Sequence, residues 1–173
     1  MLLEIYIRQI LMEVHPNLMI RKQSYQFIET ILTKLIEKLL LEYRRDNDFD
    51  LTIINVIGGD LGEQAIADYH RFLNNNYKLI YPISTIVKII RTKGYSTEYI
   101  GREDVLQFLS VVLEYITLEI LTLSGYATTD NNKMMISYEF VEKAIYYDDE
   151  LNRLIVKIYG LPIEELIDTS HMM

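Results

Sequence analysis

The 173-residue chain contains no cysteine, only seven glycines and three prolines, and no stretch of about 18 uncharged apolar residues. Without cysteine the chain cannot form disulfides, thiolate metal sites or a cysteine nucleophile. The missing apolar run predicts that no segment spans a membrane. Because Glu4 and Arg8 interrupt the apolar residues of the first segment, that segment is expected to be a helix and not a signal peptide.

Positive charge is also scarce. The chain carries 17 lysines and arginines against 25 aspartates and glutamates, a net charge of −8. Residues 1–78 hold 9 basic and 11 acidic residues and the remainder hold 8 and 14, so neither half is basic. An acidic protein is repelled by nucleic acid unless its cations gather on one side. The position of the basic residues therefore decides whether nucleic acid can be a partner.

Half of the residues are hydrophobic, and they recur with helical spacing in two similar series. The first series predicts a short helix that stops at His15-Pro16, a long helix over 24–45 with Ser24 as N-cap, an apolar LTIINVI piece, and a helix with Asp60 as N-cap. The second series predicts a short helix over 84–92, a long helix from Asp104 to about Thr129 with Gln107 in a capping box, a helix capped by Ser137, and one capped by Asp148 and ended by Gly160.

The long helix of the second series contains VVLEYITLEILTLSG, which is apolar on nearly all sides. Such a helix must be buried on several faces. Two short neighbours cannot cover it, whereas the equivalent helix of the other series can. The asparagines at 74–76 are the most linker-like point of the chain. We therefore expect an all-α protein of two similar units, residues 1–78 and 79–173, packed across their long helices.

This order of helices resembles the histone fold. The second unit is similar to histone 2A in YPISTIVKIIRTKGY, VLEYITLEIL, GYATTDNNK and AIYYDDELNRLI. The first unit is similar to histone 2B in IYIRQILMEVHPNLMIRKQ and GGDLGEQAIADYHRFL. The whole chain thus resembles a fused 2B–2A histone doublet of the kind encoded by some giant DNA viruses. The resemblance implies two histone folds in tandem that form an intramolecular handshake pseudo-dimer.

The resemblance also implies a function. A doublet of this kind is expected to join a histone 3–4-like doublet, or host histones, and to package DNA in nucleosome-like particles through backbone contacts without sequence specificity. The expected location is the virion and the viral factory or host nucleus. No enzymatic activity, metal, cofactor, small-molecule substrate or membrane partner is expected.

Eight basic positions match the DNA-facing positions of the family or flank its loops. They are Arg21, Lys22, Arg44, Arg45, Lys88, Arg91, Lys93 and Lys133. Other positions depart from the family, because Thr85, Tyr99 and Met135 stand where histone 2A has arginines. Between Tyr43 and Gly58 the chain is about ten residues shorter than histone 2B, with an alignment error of a few residues. We therefore expect weaker phosphate binding than in cellular histones.

Seven carboxylates match the acidic patch with which the family captures arginine-rich peptides. They are Asp60, Asp68, Glu114, Glu119, Asp148, Asp149 and Glu150, whereas Thr122 replaces one further glutamate. Clustered carboxylates bind a guanidinium group through paired, charge-assisted hydrogen bonds. The alternative is that these residues are solvated helix faces and N-caps, which Asp60 and Asp148 would be in any helical protein.

A second function stays open beside DNA packaging. The acidity and the missing arginines are also typical of a histone-fold module that regulates, or binds histones and chaperones, without wrapping DNA. One continuous basic ridge would favour packaging. Carboxylates that interrupt the ridge would favour the regulatory alternative.

Overall fold

The structure, a computed structural model, describes residues 1–163 and 165. The described chain is helical apart from one pair of two-residue strands. The elements are, in chain order, α1 (Glu4–Val14), β1 (Met19–Ile20), α2 (Lys22–Asp46), α3 (Phe49–Val56), α4 (Gly59–Asn75), α5 (Ile83–Lys93), a 3-10 helix (Thr97–Tyr99), α6 (Glu103–Asp130), β2 (Met135–Ile136), α7 (Tyr138–Tyr147) and α8 (Asp149–Tyr159). The predicted order of a short helix, a long helix and two further helices therefore occurs twice.

Three of the predicted N-caps are wrong, because each of these residues lies inside its helix and not at the N-cap position. Ser24 lies inside α2, is buried, and donates its hydroxyl proton to the Ile136 carbonyl. Asp104 lies in the first turn of α6 and pairs with Arg102, the residue before the helix. Asp60 lies in the first turn of α4, and its backbone N–H donates to a side chain from α8.

The apolar LTIINVI piece forms most of α3, with the Asp48 side chain accepting the Leu51 N–H at the helix start. The predicted N-cap Asp148 is confirmed, since its carboxylate accepts the N–H groups of Glu150 and Leu151. Gly160 ends α8 with φ 74°, in the left-handed region that favours glycine. Local capping chemistry was thus predicted correctly at both ends of α8.

Helix α6 is the centre of the core. Residues on several of its sides are fully buried, among them Leu109, Val112, Leu113, Ile116 and Leu121. It packs against α1, α2 and α4 of the first unit and against α5 and α7 of its own unit. An 18-residue window of α6 is apolar enough to cross a membrane, with mean hydropathy 1.6, but 72% of that window is buried inside the protein. The first half of the chain therefore covers the faces of α6 that its own unit leaves uncovered.

An aromatic cluster joins the two halves around Phe108 of α6. Its ring centroid lies 4.7 Å from that of Phe49 in α3, 5.4 Å from Tyr69 in α4 and 6.5 Å from Tyr43 in α2. Phe108 is completely buried. Ring pairs at these separations add about 0.5–1.5 kcal/mol each to the area that they bury. The second half thus inserts an aromatic anchor among three helices of the first half.

The strands form a second junction between the halves. β1 and β2 pair in parallel, with Met19 opposite Met135 and Ile20 opposite Ile136. The Arg21 N–H extends the pairing to the Ile136 carbonyl at 3.0 Å. No equivalent strand pair exists in the described chain where α2 meets α3, because only residues 47 and 48 separate these helices. The two ends of the molecule are therefore built differently.

Candidate nucleic-acid interface and acidic surface

The strand pair brings together basic residues from both halves. Arg21 and Lys22 begin α2, and Lys133 lies just before β2. All three side chains are exposed, and none forms an ion pair within residues 1–163 and 165. The Arg21 Nε lies 3.4 Å from the sulfur of Met135, the position where the family has an arginine. We call this region the strand end.

An open groove of about 1080 Å³ runs along the strand end between α2 and α7. Arg21 and Lys133 line it together with the carboxylates Glu139 and Glu142. The described lining thus holds two cations and two carboxylates. The formal charge becomes weakly positive only when Lys22, the exposed neighbour of Arg21 in the chain, is counted with it.

Helix α5 carries the second basic group, Lys88, Arg91 and Lys93, all exposed. The Thr85 hydroxyl donates to the Tyr6 hydroxyl of α1 at 3.2 Å, so the replacement of an arginine at Thr85 serves a contact between the halves. The Tyr95 hydroxyl donates to the Thr33 carbonyl of α2, also at 3.2 Å. These bonds hold α5 across the first unit with its cations outward. Within the described residues, none of the three forms an ion pair.

Arg44 and Arg45 lie at the opposite end of α2 and are surrounded by carboxylates. The Arg44 Nε lies 3.7 Å from Glu98 of the 3-10 helix. Arg45 pairs with Glu42 and with Asp46. We call this region, formed by the last turn of α2 and the 3-10 helix, the helix end.

Tyr99 replaces a family arginine at the helix end and is nearly buried, with its ring 5.8 Å from that of Tyr43. Arg102, which the sequence did not single out, lies 2.7 Å from Asp104 and 3.3 Å from the Tyr43 hydroxyl. The hydrogen bond from Arg102 lowers the pKa of the Asp104 carboxyl. A charged residue directly before a predicted helix was the available signal for Arg102, but its contact with α2 is purely tertiary.

Four of the predicted patch carboxylates are near enough to the Tyr115 hydroxyl for their charges to act on it. They come from three elements and are Asp68, Glu119, Asp148 and Glu150. Burial raises the pKa of Tyr115, and the charges of these four residues raise it further. Burial also raises the pKa of Glu119, with Asp148 and Asp68 adding to the effect. We call these four residues the acidic cluster.

Members of the acidic cluster also hold helix ends. Glu150 accepts the N–H groups of Asp60 and Leu61 and thereby caps α4, while Asp148 caps α8. The carboxylate of Asp68 accepts a hydrogen bond from Arg71 at 2.6 Å. Asp60 and Asp149 are exposed, and Asp149 lines a shallow groove with Pro162 on another side of α8. The contacts are thus compatible with a peptide-docking patch and also with carboxylates that only cap helices. The peptide-binding role stays a prediction.

Glu114 differs from the other patch residues because it is largely buried. Its Oε1 accepts the N–H groups of Ile80 and Tyr81, so it anchors the chain just before α5. It also lines a pocket of about 410 Å³ that includes Glu13 and Arg71. Burial raises the pKa of Glu114 to about 7 despite these hydrogen bonds.

The raised pKa predicts a pH dependence of stability. Because the folded protein holds this proton more tightly than the unfolded chain, Glu114 favours folding fully below pH 4.5, and that contribution is lost as pH rises to about 7. At about 1.4 kcal/mol for each tenfold change in proton affinity, the loss by pH 7 is about 3 kcal/mol. We expect Glu114→Gln to flatten this part of the profile, measured by urea denaturation between pH 4.5 and 8. An unchanged slope in the variant would contradict the assignment.

The folded arrangement now defines the class of protein. Two units, each with a long helix between shorter ones, clasp each other across their long helices, which is the histone fold. No protein-family model matches the chain. Individual proteins do: a histone 2A of Candida glabrata is 35% identical over 98 residues, and a histone 2A of Kluyveromyces lactis is 37% identical over 98 residues. Each match covers 57% of this chain and 72% of the relative.

A macro-type histone 2A of Capsaspora owczarzaki is 37% identical over 76 residues, which is 44% of this chain and 20% of that protein. The chain belongs to the histone 2A family. The predicted histone fold and the resemblance of part of the chain to histone 2A are therefore confirmed. The two relatives that cover most of this match are histones, which fits the prediction of a chain without enzymatic activity.

Proposed function

We propose that the chain is a histone doublet, with a 2B-like fold in residues 1–78 and a 2A-like fold in residues 79–173. The observation that carries this proposal is the burial of α6 against α1, α2 and α4. One chain supplies both sides of that interface, so no separate subunit is needed to complete it. A covalent link of this kind gives the two sides an effective concentration of order millimolar. The proposed boundary falls between the end of α4 and the start of α5.

In this proposal the doublet packages DNA together with a histone 3–4-like partner, viral or from the host. The exposed cations of the strand end and of α5 neutralise backbone phosphates without reading bases. The fused form is that of giant DNA viruses, which would place the protein in the virion and in the viral factory or host nucleus. Fewer free cations than in cellular histones make the complex weaker, so it dissociates at a lower salt concentration.

The partner has an apolar surface to cover. Leu41 of α2 and Leu51 and Ile54 of α3 are 53%, 43% and 51% exposed. Burying an apolar side chain contributes about 1.5–3 kcal/mol relative to leaving it in water. We assign this surface, at the junction of α2 and α3, to the histone 3–4-like partner.

Nuclease protection tests the packaging proposal. The chain is mixed with a 3–4-type partner and DNA of about 120–150 bp, the length scale of a nucleosome. A protected fragment of discrete length is expected. Ile54→Glu should abolish the partner-dependent protection, whereas Met12→Glu, which changes an apolar residue of α1 that is 61% exposed, should not. Absence of protection while histone or chaperone binding persists would replace packaging by the regulatory alternative.

The carboxylates that surround Arg44 and Arg45 favour that alternative at one end of the molecule. In it, the chain is an acidic histone-fold module that binds histones or chaperones without wrapping DNA. The two functions differ in whether DNA is protected, but both use the acidic cluster as a docking site for arginine-rich peptides.

Peptide binding by the acidic cluster can be measured directly. Glu119→Gln should weaken the binding of an arginine-rich peptide about tenfold or more, because a hydrogen bond to a charged group contributes about 1.5–3 kcal/mol. The control is Glu63→Gln, which removes an exposed carboxylate of α4 outside the cluster. Isothermal titration calorimetry would report both affinities. Equal affinities for the two variants would favour solvated helix faces over a docking site.

A further inference from the structure

The two ends of α2 lie far apart and differ in their surroundings. The helix has 25 residues and spans about 38 Å at 1.5 Å per residue. Each end carries two adjacent basic residues, Arg21 and Lys22 at the start and Arg44 and Arg45 at the finish. The same helix therefore provides two sites of equal formal charge, which differ in what faces them.

At the strand end the backbone is held and the cations are available. The strand pair joins Arg21 to the second half of the chain, and it brings Lys133 to the same groove. Among the residues that the structure describes, the carboxylates lining this groove are Glu139 and Glu142. Cations that have no ion-pair partner among the described residues can meet phosphate without giving up an existing contact.

At the helix end three arginines lie among five carboxylates. The arginines are Arg44, Arg45 and Arg102, and the carboxylates are Glu42, Asp46, Asp48, Glu98 and Asp104. An exposed ion pair contributes only about 0.2–1 kcal/mol, so DNA could open these pairs. The carboxylates would nevertheless remain within a few ångströms and repel the phosphate. Opening the pairs therefore gains little.

The shortened connection removes the remaining candidate contact at the helix end. Only Asn47 and Asp48 join α2 to α3, and Asp48 is committed to capping α3. No strand from this connection reaches the 3-10 helix within the described residues. The helix end thus lacks both the backbone frame and the free cations of the strand end.

We infer that the two halves of this chain together bind DNA asymmetrically. The strand end and α5 bind the phosphate backbone, whereas the helix end does not contact the DNA. This inference rests on the proposed packaging function and specifies which surface performs it. The DNA path held by one doublet is accordingly shorter than that of a pair that binds at both ends.

Two matched double variants test the asymmetry, since each removes two adjacent cations from one end of α2. Affinity for a short duplex is measured by fluorescence anisotropy over a range of salt concentrations. Arg21→Ala/Lys22→Ala should weaken binding about tenfold or more and reduce the slope of log affinity against log salt by about 2, since each phosphate contact contributes about 0.9 to that slope. Arg44→Ala/Arg45→Ala should change the affinity less than about twofold. Thermal unfolding confirms that both variants fold.

The cysteine-free chain allows a second, independent measurement. A DNA-cleaving iron chelate is attached to Gln23→Cys at the strand end or to Leu41→Cys near the helix end. Cleavage of bound duplex is expected from position 23 and not from position 41. Equal losses in the two double variants, or equal cleavage from both positions, would overturn the asymmetry while leaving DNA binding intact. If the unmodified chain binds no duplex at low salt, the packaging proposal fails as well as the asymmetry.

Discussion

Replacing Phe108 by alanine is expected to lower the free energy of unfolding by about 3–5 kcal/mol, the range for removing a buried aromatic side chain. Phe108 is fully buried, and its ring contacts Phe49 and Tyr69 from two helices of the other half. The substitution therefore leaves a cavity at the junction of the halves. Urea denaturation followed by circular dichroism measures the loss. The control Ile5→Ala truncates an apolar side chain that is 69% exposed and should change stability by less than about 0.5 kcal/mol.

The same experiment tests whether the halves unfold together. Because Phe108 belongs to one half and its neighbours to the other, the variant should unfold in one transition, displaced to lower urea. If each half were a separate bundle, one transition would move and the other would stay. Two transitions, or a Phe108→Ala variant as stable as the unmodified chain, would exclude the clasped arrangement and with it the doublet.

The second large effect is expected at Gly125, where α6 meets the end of α1. A Cβ atom at this position would lie 2.1 Å from the His15 ring, well inside van der Waals contact. The His15 Nε2 is also 3.0 Å from the Thr122 carbonyl, and its ring packs edge-on against Tyr126. Gly125→Ala must displace the ring, and such overpacking costs about 1–3 kcal/mol. Alanine is the better helix former by about 1 kcal/mol, so the expected net loss is up to about 2 kcal/mol.

The sign of this effect should reverse when His15 is absent. In a His15→Ala background the Cβ at position 125 meets no ring, and Gly125→Ala should raise the free energy of unfolding by about 0.5–1 kcal/mol through helix propensity alone. Gly101→Ala is the control, because no atom lies within 4 Å of its added Cβ. A loss at position 125 of equal size in both backgrounds would show that His15 is not the cause.

Much of the fold could be predicted from spacing alone. Among the described residues, the apolar repeat located every α-helix except α3, which LTIINVI largely forms, and it missed the 3-10 helix. The apolar residues on every side of α6 indicated that it needed a second unit around it, which its packing against α1, α2 and α4 confirms. Helical periodicity is a local property of the chain, and for this reason it can be recognised in the sequence alone.

Helix starts were harder to predict, because the acceptor that binds the free N–H groups in the folded protein can come from a distant part of the chain. Asp148 caps its own helix and could be recognised. The N–H groups at the start of α4 are taken instead by Glu150, ninety residues away from Asp60. Glu114 likewise could not be told from a surface carboxylate by its sequence position, yet it accepts the Tyr81 N–H just before α5. No local pattern marks a carboxylate that serves a distant helix end.

The sequence by itself determined that this is an all-α protein of two similar units, since apolar spacing and turn residues act over a few neighbours. It also supplied the segments that make the chain a histone relative. Only the tertiary structure decided which charges are free. Arg21 and Arg44 are both arginines next to a second basic residue. Folding, however, places Arg21 beside Met135 and Arg44 beside Glu98. Charge is a property of single residues, whereas its neutralisation depends on partners brought together by packing, and these partners differ at the two ends of the same helix.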